Sequence, residues 1–266
     1  MLRTRVLTAV IAIPIVLAVA YLGGWWFYLP LAAILLLGGH EFCALMRSAG
    51  YNPSEPACLG LIAALLIDAI FPGYRIGRFA LVATIAIEAT RHIVRNQTKG
   101  FLVNWALMLT GALYVGGLGS HFITLRALPG GFGWLALAAI PTWVCDSAAY
   151  FVGTSRGRQG FFTTISPHKT WEGFIGGWFS GAIAAVGAGL FLKLTLAQAI
   201  VLGLILPLAA TFGDLAESLL KRQVGAKDSG TFFPGHGGVL DRADSLLFVV
   251  PLVYYYLIWI VGITAR

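Results

Sequence analysis

LAQAIVLGLILPLAATFGDLAESLLKR, residues 196 to 222, begins as a membrane span and ends as a charged helix. Leu196 to Gly213 contains no charged side chain and is close to the roughly 20 residues that cross a bilayer. Asp214, Glu217, Ser218, Lys221 and Arg222 then follow at offsets of three, four, seven and eight, on one face of the same helix. Pairing of Glu217 with Lys221 and of Asp214 with Ser218 explains part of that face. It does not explain Asp214, which lies within a turn of apolar span, where an ionisable group is costly without a partner or a purpose.

The rest of the chain extends the picture. Of 266 residues, 58% are hydrophobic and 11% charged, and the mean hydropathy is +0.83; soluble domains carry about a quarter charged residues. These values predict an all-α, polytopic membrane bundle. Candidate spans are 6–23, 25–45, 57–72, 77–91, 101–119, 132–152, 171–192, 196–213 and 243–263, about nine helices in all. The third and fourth are short and flank the turn FPGYRIGR. The basic start MLRTR, the apolar run after it and the small residues Ala18 and Ala20 also fit a cleavable signal; an uncleaved first span is the reading adopted. We expect a single membrane domain over 1–266, with sub-bundles 1–99 and 100–266, the second carrying loops 153–170 and 214–242.

With the N-terminus cytoplasmic, thirteen of the eighteen basic residues fall on the inner side, as the positive-inside rule requires. Topology thus accounts for the net charge of +7, and nucleic acid is not an expected partner. The acidic residues follow to the same side, Glu41, Glu55 and Glu88 among them, with Asp68 the exception. Topology does not demand that, so the inner face reads as a working surface. Cys43, Cys58 and Cys145 lack metal-ligand spacing and are expected as small packing residues.

Two inner loops carry the chemistry. The first is GTSRGRQGFFTTISPHKT, residues 153 to 170; the second runs from Ser218 to Ser245 and interleaves both signs of charge with glycine. Asp241 and Asp244 lie three apart at the mouth of the last span. They serve either as ordinary helix N-terminal caps or, if the last two spans pack together, with Asp214 and Glu217 as an oxygen-rich cage suited to Mg²⁺. Asp146 interrupts another apolar run and is a further candidate ligand. Lys169, Lys221, Arg222, Lys227 and Arg242, with the amides of Gly235 to Gly238, can hold phosphate oxygens. Carboxylates ringed by cations suit phosphoryl or nucleotidyl transfer. His236 touches a phosphate, acts as an acid, or makes a structural hydrogen bond. No Walker pattern, dinucleotide fingerprint, HExxH helix or GxSxG serine signature occurs.

Ser218, Lys221, Arg222, Lys227, Asp228, His236, Gly237, Gly238, Asp241, Arg242 and Asp244 resemble, at their spacing, the signature of the phosphatidate cytidylyltransferases. Ala243 departs from the larger apolar residue or threonine usual there. DSAAYFVG from Asp146 and ISPHKTWEG from Ile165 are similar to two further family motifs, with His168 in place of a common lysine. Glu41 and Phe42 are also familiar. The resemblance implies transfer of the cytidylyl group of CTP to phosphatidic acid, giving CDP-diacylglycerol and pyrophosphate. It further implies dependence on Mg²⁺, with a second cation as an option, and a homodimer in the lipid bilayer of the bacterial inner membrane, active at its cytoplasmic face. The assignments that follow give Asp214 and Asp241 to the metal, with Asp244, Glu217 and Asp146 as further ligands. Asp214, Asp241, Asp244 and Lys221 are the catalytic group. Substrate contacts fall to Ser166, Lys169, Ser218, Arg222, Lys227, Asp228, His236, Gly237, Gly238 and Arg242. A CTP-dependent lipid kinase and a transporter or scaffold are the alternatives.

Overall fold

A computed structural model describes residues 14–230 and 237–264. His236, part of the first candidate span and the basic start lie outside them. The described residues are helical almost throughout. After α1 (14–22) come α2 (Gly24–Ser48), α3 (Glu55–Ile70), α4 (Ile76–Val94), α5 (Phe101–Gly111) and α6 (His121–Ala127). Then follow α7 (Gly131–Arg156), α8 (Trp171–Phe191), α9 (Leu196–Gln223) and α10 (Leu240–Tyr256). Single π-helical turns continue α5 over Ala112–Gly117 and α10 over Leu257–Val261.

Among the described residues, six helices are long and apolar enough to cross a membrane: α2, the run Phe101–Ala127, α7, α8, α9 and the run Leu240–Val261. The third and fourth expected spans form helices but fall outside this set. α3 has 16 residues, and α4 carries Arg78, Glu88 and Arg91.

The chain groups into two compact units, Met1–Thr124 with Val224–Asp241, and Leu125–Gln223 with Arg242–Arg266. The division falls within α6, and the segment from Val224 to Asp241 groups with the first unit.

In the first unit α3 packs on α2, on α4 and on the π turn. Gly116 permits that approach, since a Cβ there would stand 2.9 Å from Ile62 Cα. At the corner between α2 and α3, Glu55 meets His40 Nδ1 at 2.6 Å and the Arg47 guanidinium. His40, then Arg47, hold the Glu55 carboxyl below the usual carboxylate range. A depressed folded pKa adds stability that is complete above the unfolded value, about 4.3, and is lost as pH falls through the lower folded value. Glu55→Gln is therefore expected to narrow the gap in thermal stability between neutral and acid pH, read from melting curves in detergent.

In the second unit α8 is the central helix, packed against α7 and α9. Its buried face is Gly173, Gly177, Gly181, Ala185 and Gly189, a small-residue seam of the kind that brings membrane helices close. Pro207 lies inside α9. α9 runs unbroken through it, and Trp178 Nε1 donates to Leu204 O at 3.0 Å and Thr211 Oγ1 to Pro207 O at 3.0 Å, so polar side chains serve carbonyls near the proline.

α9 and α10 meet at Gly213, where a Cβ would stand 2.7 Å from Asp244 O and 3.0 Å from Ser245 Cα. Both obstacles are backbone and cannot swing aside. Gly213→Val is expected to cost about 1–3 kcal/mol of stability, seen as a lower melting temperature in detergent.

Candidate active site

One end of the second unit gathers the predicted residues from four segments. The loop 157–170 folds back on itself: Phe161 N–H donates to Lys169 O at 2.8 Å and Trp171 N–H to Gln159 O at 2.9 Å, around a single bridge between Gly160 and Thr170. Phe161 is buried, stacked on Phe174 with ring centroids 4.7 Å apart and edge-on to Trp171 at 4.6 Å. Thr170 caps α8, its Oγ1 accepting from Gly173 N–H at 3.1 Å, and Glu172 accepts from the amides of Arg158 and Gln159. ISPHKTWEG thus reads as loop, cap, clasp and close-packed glycine. Ser166 takes part through its backbone, accepting from Lys169 N–H at 3.2 Å.

This loop delivers Lys169 to α9. Its Nζ stands 2.8 Å from Asp214 Oδ2, and Arg222 Nε donates to Ile165 O at 3.1 Å. Asp214 also accepts from the Ser218 hydroxyl at 3.3 Å. Lys221 and Glu217 form an ion pair within α9, both side chains nearly buried. The two intrahelical pairings predicted for this face are therefore present, and Asp214 has Lys169 in addition.

Asp146 from α7 and Asp244 from α10 both lie within electrostatic range of Asp214; Lys169 is in range of Asp146, and Lys221 of Asp244. A cavity of about 600 Å³ opens here, and its lining includes the polar side chains of Asp146, Lys169, His168 and Asp214 together with the rings of Phe161 and Phe174. Three carboxylates in mutual range repel one another and favour a cation among them. They are hard oxygen donors of the kind a divalent ion takes. The donor chemistry fits Mg²⁺, although among the described residues no three acidic, histidine or cysteine side chains stand in a finished coordination array.

The other predicted residues fall in the first unit or at its edge. Asp241 Oδ2 accepts from Ser229 N–H at 3.0 Å, the Ser229 hydroxyl at 3.0 Å and Gly238 N–H at 2.7 Å. Gly237 takes φ 82°, a left-handed conformation that suits glycine. Lys227 and Asp228 are exposed in the same segment, and Arg242, which begins the second unit's last stretch, is exposed too.

The profile of the cytidylyltransferase family matches residues 3–260. The chain belongs to the cytidylyltransferase family. Proteins named phosphatidate cytidylyltransferase align with it nearly end to end. That of Bacillus subtilis is 34% identical, with 96% of this chain and 97% of the relative covered. That of Staphylococcus aureus is 32% identical, covering 97% and 99%, and that of Synechocystis sp. is 30% identical, covering 96% of each.

Within this cytidylyltransferase, sequence reasoning missed several residues that shape the site. Thr170 and Glu172 set the loop that carries Lys169, and their signal was a threonine and an acid bracketing a helix start. Phe161 and Phe174 help line the cavity; nothing in their spacing distinguished them from ordinary core. Glu41, already marked by its resemblance to the family, lies in the first unit, 5% exposed in α2.

Proposed function

We propose that this chain transfers the cytidylyl group of CTP to phosphatidic acid, releasing CDP-diacylglycerol and pyrophosphate. The observation that carries the reading is the coincidence of a near full-length match to phosphatidate cytidylyltransferases with a cavity whose wall carries both the aromatic rings of Phe161 and Phe174 and the charged groups of Lys169, Asp146 and Asp214. Such a wall suits a molecule that is hydrocarbon at one end and phosphate at the other.

A phosphatidate oxygen attacks the α-phosphorus of CTP; the new P–O bond forms as the bond to the β-phosphate breaks, and the electron pair leaves on pyrophosphate. The attacking phosphate is already ionised near neutrality, so no strong base is needed. The protein's task is to bring two anions together. Lys169, poised against Asp214, orients a phosphate at the cavity wall. Lys221 and Arg222, further along α9, offset the charge of the triphosphate. Asp146, Asp214 and Asp244 would hold Mg²⁺, with Glu217 behind them in its pair with Lys221. When bound, the ion supplies charge neutralisation on the phosphate oxygens. Asp241 enters through the segment it organises. The working arrangement is a homodimer of about nine-span subunits with cytoplasmic N-termini, active at the inner face of the bacterial membrane.

Purified protein in detergent, given phosphatidate, α-labelled CTP and titrated Mg²⁺, is expected to move label into lipid and release pyrophosphate in equal amount. Release of CDP with phosphate transfer would point to a lipid kinase, and no transfer at all to a transporter or scaffold.

A further inference from the structure

Glu41 is a nearly buried acid in an apolar stretch of α2, a position that calls for strong partners. They come from the far end of the chain, within the same unit. Oε1 accepts from Val239 N–H at 2.9 Å; Oε2 accepts from Leu240 N–H at 3.1 Å and from the Ser229 hydroxyl at 3.3 Å. Leu240 opens α10 and Val239 precedes it, where amides have no partner inside the helix. A side chain nearly 200 positions away in sequence thus does the work of a cap.

The same Ser229 hydroxyl stands 3.0 Å from Asp241 Oδ2, so one proton lies between two carboxylates. Gly230 and Gly238 lie flat against Glu41: a Cβ on them would come within 2.6 and 2.5 Å of its oxygens. The two acids together grip Ser229, Gly230 and the backbone from Gly238 to Leu240.

We propose that Glu41 is a positioning residue for cytidylyl transfer: from α2 it fixes the Gly238–Leu240 backbone and Ser229, and through Ser229 the carboxylate of Asp241. Its effect on turnover rests on the functional reading above; its effect on the backbone rests on the hydrogen bonds alone. Glu41→Gln keeps size and shape but turns an NH₂ donor toward groups that are themselves donors. Glu41→Asp keeps the charge and draws it back by one methylene.

The test uses full-length protein in detergent and three readouts: thermal unfolding, amide exchange and steady-state kinetics. Glu41→Gln is expected to unfold within a few degrees of wild type. Its exchange at 237–241 rises at least about tenfold, because hydrogen bonds to a charged acceptor are lost, while exchange at 157–170 stays as in wild type. In the same protein kcat falls at least about tenfold and KM for CTP moves less than about threefold, because Lys169, Lys221 and Arg222 are left unchanged. Glu41→Asp falls between Glu41→Gln and wild type in both exchange and kcat. Wild-type exchange, wild-type kcat, or a loss of activity that only tracks loss of folded protein would each overturn the proposal. If Glu41→Gln does not fold, Ser229→Ala, which removes only the shared hydroxyl, carries the same test: faster exchange at 237–241 with lower kcat supports it, and any other pairing overturns it. A wild-type enzyme that moves no label from CTP to lipid counts against the functional reading alone, and exchange still decides on Glu41.

Discussion

Asp214→Asn is expected to lower turnover by about a thousandfold or more, on the scale of losing a charged group that organises a phosphoryl-transfer site. The substitution is nearly isosteric and keeps an oxygen for the Ser218 hydroxyl. What it removes is the charge that draws Lys169 to 2.8 Å and that stands in range of both Asp146 and Asp244. The loop 157–170 keeps its own closure through Phe161, Thr170 and Glu172, so the fold is expected to survive. Label transfer by purified enzyme across a Mg²⁺ titration, beside a melting curve, separates the two effects. Near-normal turnover at saturating Mg²⁺ would remove Asp214 from the reaction.

Asp241→Asn is expected to reduce turnover by about a hundredfold or more, for a different reason. One oxygen of Asp241 takes three donors, Ser229 N–H, the Ser229 hydroxyl and Gly238 N–H. Hydrogen bonds to a charged acceptor are worth about 1.5–3 kcal/mol each, and an amide oxygen returns only part of that. The segment around Gly237 is thereby loosened as well as stripped of a charge. Specific activity of the folded fraction, isolated by size exclusion, is the measure; a value near wild type would show that neither the charge nor the grip matters.

Helix positions were legible because apolar runs of membrane length have few other fates. The stretch predicted at 25–45 is α2, and that at 171–192 is α8, each to within a few residues. The fifth run was drawn too short. Phe101–Ala127 continues past the turn at Ser120 into α6, where Ser120, His121 and Arg126 break the apolar run that period counting follows. Asp146, Asp214 and Asp244 stood out from sequence because each is a charge in or beside a span, and the structure brings them into mutual electrostatic range. The loop 157–170 was legible as polar and glycine-rich but not as a closed hairpin, because its closure comes from Phe161 stacking on Phe174 beyond the loop. Glu41 was counted among the acids of one face, yet its partners lie 188 to 199 residues away, a distance no local pattern reports.

That separation also has a meaning in time. A ribosome adding about 5–20 residues each second exposes Glu41 long before it makes Ser229, Val239 and Leu240, so for some ten seconds or more the nascent first unit carries an acid without its eventual partners. Its completion waits for a segment 188 to 199 residues further along the chain, and chains stopped short of Ser229 are expected to leave α2 open to protease that the finished protein resists.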